Sequence, residues 1–136
     1  MRYNGVIQRK LAILDKQLNE IRLHLKNVTY KEFEDSWGMR SMTERALQVA
    51  VEILIDISER IIALENAGPA STASECIEKL VALNVLESKE PFVDMFKFRN
   101  VIVHQYEEVD PAILFNLAKN KLGDFRKFMN AIDNVS

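Results

Sequence analysis

A chain of 136 residues, 48% hydrophobic and 28% charged, has the size and balance of one globular domain built on a single core. Its formal net charge of −2 excludes a broadly basic nucleic-acid-coating surface, so any polyanion site must be local or shared between subunits. No apolar run approaches the roughly 18 residues that span a bilayer, the charged first residues do not read as a signal peptide, and the lone Cys76 forms no internal disulfide, which together point to a cytoplasmic protein away from the membrane.

With 4 glycines and 3 prolines the chain has few breaks, which favours long helices. Val6/Ile7, Leu11, Leu14, Leu18, Ile21 and Leu25 recur at alternating spacings of three and four and predict a first helix over about residues 3–26. His24 falls near its C-terminal end, where the helix dipole favours a cation. The connector that follows contains Thr29-Tyr30-Lys31-Glu32, a capping box for one short helical turn. Phe33 and Trp37 are expected to anchor this connector to the core, the alternative being an aromatic pair that binds a ligand.

Ser41-Met42-Thr43-Glu44 is a second capping box and predicts the start of a long helix that stops at Gly68-Pro69. Val49, Ala50, Ile53, Leu54, Ile57, Ile61 and Leu64 form its main apolar face, widened by Val51, Ile55 and Ile62. A helix apolar over so much of its surface is central or faces two partners at once, and dimerisation would absorb the excess. Arg40, Glu44 and Arg45 stand near its start, as cap and surface charges or, for Arg45, as a contributor to a shared anion site.

A shorter helix is expected from Thr72, capped with Glu75, to about Asn84. Cys76 packs among Ile77 and Leu80 there, and Val85 and Leu86 tuck the next loop inward. Ser88 is expected to cap a fourth main helix with Pro91 in its first turn. Phe92, Met95, Phe96 and Val103 would face inward, with Phe98 and Ile102 beside them. Asp110-Pro111 reads as an N-cap with proline at the first helical position, opening a last helix to about residue 133. The whole reads as one all-α domain over residues 1–136, an up-and-down bundle of four main helices with short extra helices.

Most chemical constellations are missing. There is no glycine-rich phosphate loop, no cysteine pair for zinc, no His-x-x-x-His or Glu-x-x-His, and no serine in a nucleophile elbow, so neither a metal nor a cofactor is expected. What remains is Arg99-Asn100-Val101-Ile102-Val103-His104-Gln105-Tyr106, which gathers a fixed cation, an amide, an imidazole and a phenol. On a continuous helix five positions turn a side chain by about 140°. Arg99 and His104 therefore meet only if the helix unwinds before His104 or if two copies meet across a two-fold axis.

An arginine and a histidine suit the cleavage of RNA without metal, in which the 2′-hydroxyl attacks the adjacent phosphate. Imidazole moves protons at neutral pH, and a guanidinium offers a planar fork to the charged phosphorane. The same residues also suit a plainer role, satisfying carbonyls and the dipole at a helix end. Composition and spacing alone leave both open.

The block Arg99-Asn100-x-x-x-His104-x-Tyr106 resembles the signature of the HEPN superfamily, in its HepT-like toxin branch. The Arg45-Ala46-Leu47-Gln48-Val49-Ala50 stretch, the Gly68-Pro69 stop and the last helix resemble that branch too. The resemblance implies a metal-independent ribonuclease toxin with Arg99 and His104 as catalytic pair at a homodimer interface, and Asn100 in support. It further implies a small nucleotidyltransferase antitoxin that transfers AMP to Tyr106. The alternative is a non-catalytic helical subunit that binds nucleotide or substrate for such a nucleotidyltransferase.

Overall fold

The structure is a computed structural model that describes residues 5–101 and 109–135, and within α5 the side chains only up to Phe98. Among the described residues all regular structure is helical: α1 (Val6–Leu25), α2 (Tyr30–Asp35), α3 (Trp37–Leu64), α4 (Ala73–Ala82), α5 (Phe92–Val101), α6 (Pro111–Asn120) and α7 (Leu122–Val135). The all-α bundle expected from periodicity is what forms. α1 buries the predicted stripe of Ile7, Leu11, Leu14, Leu18, Ile21 and Leu25, each side chain contributing about 1.5–3 kcal/mol relative to exposure.

α3 is the central element and packs against α1, α2, α4, α5 and α6. Val51, Ile55 and Ile62, which widened its apolar face, are all buried within the chain. That added width is therefore used internally, whereas Leu64 of the main face is left exposed. α3 also starts earlier than its sequence signals suggest. The Ser36 hydroxyl accepts from the Met39 N–H at 3.1 Å, and the Arg40 N–H reaches the Ser36 carbonyl at 3.0 Å. Ser41 and Glu44 are thus inside the helix, because a better-placed cap precedes them.

Starting the helix at Trp37 has a second consequence. Phe33 is fully buried and stacks near Phe115 at 5.1 Å, but Trp37 is 70% exposed. The expected core anchoring of Trp37 is incorrect: Phe33 and Tyr30, against Phe115, fasten the connector instead.

Three helices end on asparagine. Asn27, Asn66 and Asn84 take φ of 65°, 55° and 62° after α1, α3 and α4. Asparagine tolerates this left-handed conformation better than most residues. The Ala67 N–H then bonds the Ile62 carbonyl at 3.0 Å and the Val85 N–H the Leu80 carbonyl at 2.9 Å, closing the last turns of α3 and α4. α3 therefore stops at Leu64, before Gly68-Pro69.

Two further expectations are corrected. The Ser88 hydroxyl donates to the Glu90 carbonyl at 2.9 Å and caps no helix, and α5 begins after Pro91. The last helix is two helices, α6 and α7, with a break at Lys121 (φ −115°, ψ 3°). The apolar period continues through the break, so periodicity does not reveal it.

Candidate active site

α5 is held by its aromatic face. Phe92, Met95, Phe96 and Phe98 are buried, and the Phe92 and Phe96 rings lie 5.6 and 5.8 Å from Phe128 of α7. The helix packs on α3, α4 and α7. Arg99 and Asn100 fall in its last turn, so the first half of the candidate block is carried by a helix seated in the core. Ile102, Val103, His104 and Tyr106 lie outside the described residues.

The chain is fastened again directly after the block. Val109 is buried at 6% exposure. The Asp110 carboxylate accepts from the Ala112 N–H at 2.8 Å, with Pro111 in the first turn of α6, as the Asp-Pro pair predicts. Val109 borders a small recess formed with Trp37, Arg40, Ser41, Glu44 and Leu114. The Arg40 guanidinium donates to the Glu34 carbonyl there. Trp37, expected as a core anchor, borders this recess instead. Its place immediately after the Ser36 cap was the available signal, since it sets the ring on the first turn of α3 rather than in a connector.

Arg45 and His24 lie elsewhere. Both border a cleft between α1 and α3, while α5 packs on α3, α4 and α7. Cys76 is not a nucleophile: it is 4% exposed, and burial pushes its thiol up to about 11, far from the depressed values of reactive thiolates. Among the described residues no group of three or more His, Cys, Asp or Glu side chains is placed to hold a metal ion. No helix among them is long and apolar enough to cross a membrane.

Comparison with known proteins places this geometry. The chain is 23% identical over 130 residues to the tRNA nuclease HepT of Aphanizomenon flos-aquae, covering 94% of this chain and 88% of that one. It is 23% identical over 133 residues to the mRNA nuclease HepT of Shewanella oneidensis, covering 95% and 97%. The fold superimposes with a TM-score of 0.86 on a tri-AMPylated Shewanella oneidensis HEPN toxin solved in complex with an MNT antitoxin, at 22% identity over 97% of this chain and 99% of that one. A toxin–antitoxin structure with AMP-PNP matches at a TM-score of 0.84 and 20% identity, covering 96% of this chain and 98% of that one. The family model described as Ribonuclease HepT-like matches residues 14–132, which takes in α3, α5 and the whole Arg99–Tyr106 block. The chain belongs to the HepT-like ribonuclease family.

Proposed function

We propose that this chain is a metal-independent endoribonuclease, the toxin of a toxin–antitoxin pair, acting in the cytoplasm as one domain over residues 1–136. The observation that carries the reading is the family match across residues 14–132, which contains the one block of the sequence able to do this chemistry. The nuclease names of the relatives from Aphanizomenon flos-aquae and Shewanella oneidensis support it.

Arg99 and His104 are the catalytic residues of this proposal. The RNA 2′-oxygen attacks the adjacent phosphorus and loses its proton to an imidazole acting as base. The P–O5′ bond then breaks as a second imidazole gives a proton to the leaving 5′-oxygen, which leaves a 2′,3′-cyclic phosphate. Two copies of His104 across a homodimer supply both roles, each proton transfer contributing about 10²- to 10⁴-fold. Arg99 from each protomer offers its planar fork to the phosphorane charge. Asn100, on the same turn as Arg99, supports the site. Pairing two protomers doubles the local positive charge, which allows a chain of net charge −2 to hold RNA.

The partner of this proposal is a small nucleotidyltransferase antitoxin that transfers AMP to Tyr106. The related Shewanella oneidensis toxin, AMPylated and in complex with an MNT antitoxin, supports this part. An adenylyl group two residues from His104 adds bulk and negative charge, and so repels the RNA phosphate. The test is cleavage of RNA by purified protein in EDTA, with intact mass first establishing that Tyr106 is unmodified. Wild type cuts, and His104→Ala and Arg99→Ala do not; equal cleavage by all three, or none by any, refutes the reading.

A further inference from the structure

One large side chain near the candidate block has no part in the chemistry proposed above. Trp37 is the single tryptophan of the chain and is 70% exposed, more than any other large hydrophobic side chain among the described residues. An indole left in water forgoes the burial that Phe33, four positions earlier, obtains in full. Nor does Trp37 sit on a frayed end. The Ser36 hydroxyl accepts from the Met39 N–H at 3.1 Å, and the Ser36 carbonyl from the Arg40 N–H at 3.0 Å. The ring therefore rides on a capped first turn of α3, held in place before any ligand arrives.

The ring stands beside the point where the chain leaves the block. Trp37 and Val109 border the same recess. Val109 is five positions from His104, so the two Cα atoms lie at most about 18 Å apart whatever the path between them. The recess has a volume of only about 20 Å³, below one water's share of the liquid, about 30 Å³. No ligand seats inside it, and what it leaves for one is the exposed ring. A Cβ added at Gly38 would meet nothing within 4 Å beyond its chain neighbours, so the ground next to the ring is open.

The charges around the ring do not explain its exposure. Arg40 and Glu44 both border the recess and are of opposite sign, so net charge alone does not draw a polyanion here. Stacking is indifferent to that balance, because every base has a π-face. Single-stranded RNA is held in general by splaying its bases onto aromatic rings. A ribonuclease has to grip the strand beyond the bond it cuts, and an exposed indole within a few nucleotides of the block can do so. Tryptophan also anchors protein interfaces, which makes a protein partner the rival occupant. Nearness to the block, in a chain of a ribonuclease family, favours the RNA.

We propose that Trp37 is a base-stacking platform for the RNA substrate, holding a nucleotide a few positions from the scissile phosphate. The inference rests on the ribonuclease reading and extends it to substrate binding, with no part for Trp37 in proton transfer.

A lone tryptophan makes the test direct. Intrinsic fluorescence of the full-length chain is titrated with a short single-stranded RNA and with an abasic strand of the same length, in the His104→Ala background so that RNA is not cut. Saturable quenching by the RNA and not by the abasic strand is expected. In cleavage kinetics with unmodified protein in EDTA, Trp37→Ala raises KM about fivefold or more with kcat nearly unchanged, and Trp37→Phe recovers most of the loss. The urea midpoint of Trp37→Ala stays close to that of wild type, since the side chain is largely exposed. No quenching by RNA, equal quenching by both strands, or an unchanged KM in Trp37→Ala overturns the proposal. An unchanged KM with lost binding of the nucleotidyltransferase overturns it in favour of a protein partner. The two readings fail separately: wild type that cuts RNA no better than Trp37→Ala sinks the platform alone. Wild type that cuts nothing, yet is quenched by RNA and binds it more tightly than Trp37→Ala does, sinks the ribonuclease reading and keeps the platform.

Discussion

The Asp110 carboxylate accepts a hydrogen bond from the Ala112 N–H at 2.8 Å, four residues beyond Tyr106, where the candidate block ends. Together with the Asp110 carbonyl, which accepts from the Ile113 and Leu114 N–H groups at 3.0 and 3.1 Å, it fixes where α6 starts. The block is therefore bounded by a buried aromatic helix on one side and a capped helix on the other. Asp110→Ala should cost about 0.5–2 kcal/mol in urea denaturation, and Asp110→Asn, which keeps an acceptor, much less. Equal losses in the two variants would show that the cap is not what holds this end.

Phe128 is the support of the helix that carries Arg99. Its ring is fully buried and meets both Phe92 and Phe96 of α5. Phe128→Ala should destabilise the chain by about 3–5 kcal/mol through lost transfer energy and the cavity left behind. Phe128→Leu should cost clearly less. Chemical denaturation checks this, and a loss below about 1 kcal/mol for the alanine variant contradicts it.

Two glutamates make stability depend on acid. Backbone and side-chain hydrogen bonds from Thr29 hold Glu32 below the ordinary 4.5, and side-chain and backbone hydrogen bonds from Ser71 do the same for Glu75. A carboxylate with a lowered folded-state pKa contributes stability that is whole above its unfolded value. That contribution is lost as pH falls below 4.5 and through the folded value. The double variant Glu32→Gln, Glu75→Gln should flatten the acid limb of a pH-dependent denaturation series. An unchanged slope would mean these bonds do not persist in solution.

Cys76 should behave as a core residue. Its thiol is pushed up to about 11, first by burial. An aromatic disulfide reagent at pH 8 should leave the native chain untouched and modify one thiol on unfolding. The raised value also has a sign for stability: it costs nothing below the ordinary 9.0 and subtracts stability as pH rises from there toward about 11. Rapid native modification at pH 8 contradicts this burial.

Much of the bundle is legible in the sequence because apolar spacing is a direct record of burial. The α1 stripe, the Thr29 box and the Asp110-Pro111 start all form as read. Helix ends are read less well. Left-handed asparagines at 27, 66 and 84 do the work often given to glycine, and the Gly68-Pro69 pair drew attention from Asn66. The Ser41–Glu44 pattern is a valid capping box in composition, but only tertiary geometry decides between it and Ser36. Trp37 was misplaced for the same reason: shifting a helix start by four residues turns an anchor into an exposed ring. Arg99 and Asn100 are readable as a block with His104 and Tyr106 because residue identity carries that signal. No periodicity could have placed His24 and Arg45 on one cleft between two helices.

Subunit dilution tests the shared site most directly. RNA cleavage in EDTA is measured while unmodified wild-type protein is mixed, through a denaturation and refolding cycle, with His104→Ala at constant total concentration. If two protomers each contribute an imidazole to one site, the rate falls with the square of the wild-type fraction and vanishes for the pure variant. A rate falling in simple proportion to that fraction, or cleavage by pure His104→Ala at the wild-type rate, contradicts the account.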